Sequence, residues 1–204
     1  MKKMIVMAAL ALFGSQFAKA QVQKGNFLVG GTLGFTSATE KVDGTDNKET
    51  VSQFNISPKA GYALSDKWMV GVFVEGAFNS TKDVVGENED KTKGNFILPG
   101  VFVRNYCQIA DSKVYFTSEA NVGYGFGSNE VNDVKTDKTT GFRAQLMPGI
   151  SYLVGKRLML EGNLGGLSYS NMTQKPEGAG AEIKTSAFDF NFIKSFQVGA
   201  SFLF

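Results

Sequence analysis

The chain has 204 residues, 43% of them hydrophobic, with 21 basic and 19 acidic side chains for a formal charge of +2. That near balance argues against a nucleic-acid binder or a protein held to anionic surfaces by charge. With no histidine and a single cysteine, Cys107, an intrachain disulfide is excluded, and a His/Cys metal cluster or a histidine-assisted nucleophile is not expected.

Taken from the N-terminus, Lys2 and Lys3 precede an apolar run from Met4 to Phe13, and Ala18-Lys19-Ala20 follows as a small-x-small site. This is the layout of a secretory signal peptide, with cleavage expected before Gln21. The run is too short for a spanning helix, which needs about 20 apolar residues. Without residues 1–20 the chain carries 18 basic and 19 acidic groups, suits one domain over 21–204, and contains no other long apolar run. A membrane role therefore falls to strands.

Period-two alternation predicts eight of them, over 26–38, 51–64, 68–80, 94–106, 113–127, 140–153, 157–170 and 186–204. The gaps alternate in kind. Short ones fall at 65–67, 107–112 and 154–156, and long polar ones at 39–50, 81–93, 128–139 and 171–185. An even number of strands, with short turns at one end and long loops at the other, predicts an all-β, eight-stranded antiparallel up-and-down transmembrane β-barrel. Both termini then belong to the short-turn, periplasmic side.

Each predicted strand has one apolar face, such as Phe27, Val29, Leu33 and Phe35 on the first, or Leu158, Leu160 and Leu164 on the seventh. The fourth is ambiguous, because Phe96, Leu98 and Phe102 oppose Ile97, Val101 and Val103. Turning Arg104 inward resolves it and leaves the valines to lipid. The opposite faces carry Lys59, Glu75, Arg104, Glu119, Arg143 and Glu161, alternating in sign around the ring. A lone Lys or Arg at midplane on the lipid face costs about 2–4 kcal/mol. Inside, paired, these six form a structural interior charge network that fills the lumen, and Asn121, Gln145, Asn163 and Gln197 satisfy the remaining donors and acceptors. A proton or ion path is the other reading of the same ladder. Tyr62, Trp68 and Tyr152 fall near short turns, and Phe35, Phe78, Phe126 and Phe142 near long loops, as two aromatic girdles require.

The last strand ends in an aromatic stripe through Phe188, Phe190, Phe192, Phe196, Val198, Phe202 and Phe204, interrupted by Lys194. Its inserted part is read as Ser195–Phe204. The four long gaps are read as extracellular loops. Three of them carry more acid than base, a pattern that suits either solvated loops or cation-bridged lipopolysaccharide phosphates.

The leader, the alternating strands, the stretch Leu98-Pro-Gly-Val-Phe-Val-Arg-Asn-Tyr106 and the terminal Val198-Gly-Ala-Ser-Phe-Leu-Phe204 together resemble small outer-membrane barrels. The likeness is to the OmpA/OmpX-like "porin family" type, especially of Bacteroidota, and it covers the whole mature chain. The resemblance implies the cell outer membrane of a Gram-negative cell, with lipid and lipopolysaccharide as surroundings. It also implies insertion by the outer-membrane assembly machinery, with Phe196, Val198, Phe202 and Phe204 as the C-terminal signal. Because the chain stops at Phe204, peptidoglycan tethering is not expected. The expected function is a non-enzymatic structural or surface-interaction protein, without cofactor, acting through its loops in envelope integrity, adhesion or resistance. The alternative is a small channel, or a carrier for a small or hydrophobic ligand.

Overall fold

The computed structural model describes residues 22–204 except 42, 44–46, 87, 111 and 179, and gives only the backbone of 192–197. The expected leader over 1–20 and its cleavage site therefore lie outside the described residues. Eight strands follow in order: β1 (Phe27–Lys41), β2 (Lys48–Ala63), β3 (Trp68–Val85), β4 (Asn88–Gln108), β5 (Val114–Val131), β6 (Val134–Val154), β7 (Leu158–Pro176) and β8 (Ile183–Leu203). Each pairs antiparallel with its neighbours in sequence, and β8 returns to β1 to close the barrel.

Alternation predicts the faces well. Phe27, Leu33, Phe54, Val72, Val101, Phe116, Phe126, Ile150 and Phe202 are exposed outside, while Leu28, Met69, Leu98, Phe102, Tyr115 and Met159 are buried. The predicted orientation of the fourth strand holds, with Arg104 buried and Val101 and Val103 outside. A solvated protein would put these rings inside; here the inward face carries the charged and polar side chains instead. All seven girdle residues named above are exposed, and Phe54–Phe78 and Phe142–Tyr169 ring pairs extend the girdle at the long-hairpin end.

Two features depart from simple alternation. The expected loops over 81–93 and 128–139 are mostly strand. β3 runs to Val85 and β4 starts at Asn88, while β5 and β6 are joined by a two-residue turn, Asn132-Asp133, with φ of 51° and 64°. Both signs are those of a type I′ hairpin turn. These extensions are polar on both faces because both faces meet water, so alternation is lost while the backbone ladder persists. Cys107 likewise sits on β4, exposed, rather than in a turn.

The second departure is a bulge in β7. Between Leu146–Leu167 and Gly149–Asn163, β6 advances three residues and β7 four. Gly165 (φ 87°) and Gly166 (φ 152°) absorb the extra residue. An inserted residue reverses which side chains face out. The outward series Leu158, Leu160 therefore passes to Leu167 and Tyr169, and Leu164 lies at the change of phase.

Inside, rings need sockets. A Cβ added at Gly125 would lie 2.2 Å from Phe96 Cζ. Gly125→Val should therefore overpack the lumen and cost about 1–3 kcal/mol, read as a lower urea midpoint in refolding from vesicles. An unchanged midpoint would show that Phe96 has room to move. At the hairpin tips, the Lys93 ammonium donates to Asp133 and holds its carboxyl below the usual carboxylate range. That contribution is complete above the ordinary carboxylate pKa and is lost as pH falls through the depressed one. An NMR titration should find the Asp133 midpoint low in the native chain and moved upward in Lys93→Met.

Candidate functional site: a braced lumen beneath a polar cavity

The strands place all six predicted charges inside the barrel, in two tiers rather than one ring. The lower tier joins Lys59 of β2, Arg104 of β4, Glu119 of β5 and Glu161 of β7, each less than 9% exposed. Lys59 Nζ lies 3.2 Å from Glu119 Oε2, and Arg104 Nη1 lies 2.9 Å from Glu161 Oε1. Arg104 also donates from Nε to Glu119 Oε2 at 2.9 Å and pairs with it through Nη2. Two cations meet two anions, so the cluster is neutral. That neutrality is what makes its burial tolerable.

The sequence predicts pairing between neighbouring strands, and only Arg104–Glu119 obeys. Lys59–Glu119, Arg104–Glu161 and the upper-tier Arg143–Glu75 each join strands three apart in the ring. They brace the lumen from wall to wall. The reason is width: an eight-stranded barrel is narrow enough for long side chains to meet across it. Charge parity alone carries no such distance.

Aromatic residues complete the lower tier. Arg104 Nη1 donates to the Tyr106 hydroxyl at 3.2 Å, and the Lys59 and Arg104 cations lie 5.6 Å and 5.7 Å from the Phe102 ring centroid. Sequence reasoning missed Tyr106 as a partner, although it shares the parity of Arg104 two residues on. Below, towards the short turns, Leu28, Ala63, Met69, Leu153, Met159 and Leu203 are 0–4% exposed and pack with Tyr115 and Val22. This apolar layer stops the lumen.

Above the lower tier the barrel is not filled, contrary to expectation. A partly open cavity of about 570 Å³ is floored by Lys59 and Glu119 and walled by Glu75, Arg143, Gln145 and Asn163. Asn121, predicted to satisfy the charges, donates to Glu119 Oε1 at 3.4 Å. The side chain of Gln197 lies outside the described residues. Inward side chains are long near the short turns and shorter above, where Thr32, Gly34, Asn55 and Ser57 contribute little volume. That taper is readable in the sequence once the faces are known.

The C-terminal residues occupy the seam with β1. Val198 and Phe202 face outward, Phe204 exchanges backbone hydrogen bonds with Phe27 at 2.8 and 2.9 Å, and the Phe196 side chain lies outside the described residues. Among the described residues no group of three or more His, Cys, Asp or Glu side chains is arranged to hold a metal ion. Arg104→Ala would leave two buried carboxylates facing one lysine, and should cost on the order of 3–5 kcal/mol. Thermal unfolding in detergent should show this as a lower midpoint, whereas Arg143→Ala, in the partly exposed upper tier, should lower it less.

No curated protein sequence matches the chain. Among solved structures it is similar to the outer membrane protein OprG of Pseudomonas aeruginosa, with 14% identity and a TM-score of 0.49 over 92% of this chain and 99% of that one. It is also similar to Escherichia coli outer membrane protein W, with 16% identity and a TM-score of 0.44 over 89% and 99%. A major outer membrane protein of Thermus thermophilus gives 16% identity and a TM-score of 0.45 over 89% and 100%. The family model described as outer membrane protein beta-barrel domain matches residues 5–204, nearly the whole chain. The protein belongs to that family.

Proposed function

We propose that this is a non-enzymatic structural and surface-interaction protein of the OmpA/OmpX-like type, closed to through-passage. It sits in the outer membrane with its short turns in the periplasm and its long hairpins outside. The observation that carries the reading is the stopped lumen: a neutral ion cluster of buried Lys59, Arg104, Glu119 and Glu161 above an apolar layer. A water-filled pathway would have to separate cross-lumen pairs and then open a packed floor. A proton or ion path through the same residues is disfavoured on that ground.

The exported state rests on the leader read at 1–20. Insertion by the assembly machinery rests on the outward-facing Val198 and Phe202 together with Phe196 and Phe204. Contact with lipopolysaccharide and any external partner falls to the hairpins. Their tips carry exposed ion pairs such as Lys82–Glu89 at 2.8 Å and Lys138–Glu177 at 2.8 Å. Backbone-paired two-stranded extensions present a more ordered surface than unpaired loops would, which suits adhesion or envelope cross-contacts. A carrier for a small or hydrophobic ligand is the second reading, favoured by the cavity of about 570 Å³, within the common range of about 300–1,000 Å³ for small-molecule sites.

The refolded protein in planar bilayers is expected to show no stable steps of porin size. A persistent channel would overturn the closed-barrel reading. Cutting back the β3–β4 hairpin above Asn79 and Gly94 should remove surface binding to cells or matrix while leaving the heat-sensitive gel mobility of a folded barrel intact.

A further inference from the structure

The two ends of the barrel treat their cations differently. At the long hairpins, exposed lysines are matched with acids: Lys82 with Glu89, Lys93 with Asp133, Lys138 with Glu177 and Lys175 with Glu182. At the short turns, Lys24, Lys67, Lys113 and Lys156 are exposed and Arg157 is half-buried. Lys24, Lys67 and Lys113 have no ion partner among the described residues.

The backbone sets these cations in a rim. β1, β3, β5 and β7 are each preceded by one residue whose carbonyl extends the ladder, accepting an N–H near the end of the strand that follows. Asn26 O takes Ala63 N, Lys67 O takes Tyr106 N, Lys113 O takes Leu153 N and Arg157 O takes Leu203 N, all at 2.8–2.9 Å. Three of these four positions, spaced every second strand around the ring, are basic. Above them stands the short-turn girdle, with Tyr62, Trp68 and Tyr152 exposed and Phe202 stacked on Phe204. A cation just below an aromatic girdle reaches the level of lipid phosphates, with its aliphatic stem along the apolar wall.

One turn is more basic than the others. In sequence, Asp66 accompanies Lys67 and Asp111 accompanies Lys113, and Asp66 also accepts the Lys24 backbone N–H at 2.8 Å. The β6–β7 turn, Gly155-Lys156-Arg157, holds two cations and no acid. Above it, the outward Val154, Leu158 and Phe202 lie side by side on three strands, since Val154 pairs with Leu158 and Leu158 with Phe202. Together with Lys156, Arg157 and Phe204 they line a shallow groove. Phe204 brings at most one negative charge there. Its oxygen accepts from Phe27 N–H and Asn26 Nδ2 at 2.9 and 3.2 Å, which draws it towards β1.

We propose that this groove docks an anionic phospholipid of the periplasmic leaflet, with the phosphate on Lys156 and Arg157 and an acyl chain along Val154, Leu158 and Phe202. Charge selects the head group. A zwitterionic head carries its own cation, which cancels the attraction, whereas a head with net negative charge keeps it. The rest of the rim, Lys24, Lys67 and Lys113, adds a weaker preference of the same sign. This surface rests on the outer-membrane reading, which puts the short turns at that leaflet.

The test uses the full mature barrel refolded into vesicles in which part of the lipid is brominated in its acyl chains, as phosphatidylglycerol or as phosphatidylcholine. Trp68, the only tryptophan, reports on the β2–β3 turn at the opposite wall. In further proteins Trp68→Phe is combined with Phe202→Trp or, separately, with Val154→Trp, which places the reporter in the groove. Both groove reporters are expected to favour brominated phosphatidylglycerol over phosphatidylcholine about fivefold, and Trp68 to do so less. Lys156→Gln together with Arg157→Gln should bring the groove ratio close to one, while Lys113→Gln leaves it nearly unchanged. Folding should survive the exchange, because Arg157 joins the ladder through its carbonyl. Equal quenching by the two lipids at the groove reporters would overturn the site. So would a preference that survives the double substitution, or one of equal size at Trp68. Retardation of the barrel on native gels by polyglutamate, without any lipid preference, would assign the rim to an acidic protein instead. Absence of quenching by either lipid, together with loss of the folded-barrel mobility shift, would count against the outer-membrane reading itself.

Discussion

Backbone amides and carbonyls in hydrocarbon have no water to bond with, so a strand-built membrane protein must close its ladder on itself. Everything else in this barrel follows from that closure. Eight strands enclose a narrow lumen, which turns most large apolar side chains outward and leaves the inward face to glycine, small polar residues, a few long charged ones and the buried apolar layer near the short turns. Closure is made at the junction of first and last strands, where Leu28–Thr32 of β1 pair with Leu203–Gly199 of β8.

The charged groups solve a packing problem before any functional one. The lower half of the lumen must be filled, and aliphatic side chains such as Leu28 and Met159 do this near the short turns. Higher up, Arg104 and Lys59 reach across and join walls that share no backbone hydrogen bonds. Buried ion pairs of this kind are weak evidence for net stability. Their geometry nevertheless restrains the cross-section of the barrel, because each pair fits only one distance between opposite walls. A cavity above a braced floor is then a natural consequence of side chains that shorten along the strands.

Membership in the outer membrane protein β-barrel family agrees with this reading and leaves the role of the individual protein to its own surfaces. Those surfaces are of two kinds. The hairpin extensions at the β3–β4 and β5–β6 ends are polar and paired along their backbones. The other is the polar cavity above the ion cluster, walled by Glu75, Arg143, Gln145 and Asn163.

Strand number, the two faces and the inward direction of Arg104 were legible in the sequence, because a side chain on a strand points in or out with strict period two. The six interior charges could be named for the same reason. Where polarity covers both faces, as from Thr81 to Lys93, that signal vanishes, and strand reads as loop. Periodicity also loses phase at an inserted residue, so Leu167 and Tyr169 were hidden behind Gly165 and Gly166. Partners of each charge and the cavity above them depend on distances across the lumen and on register between strands far apart in the chain. The sequence by itself determined which side chains enter the barrel; only the tertiary structure decided which of them meet across the lumen, because closing the ring fixes those distances.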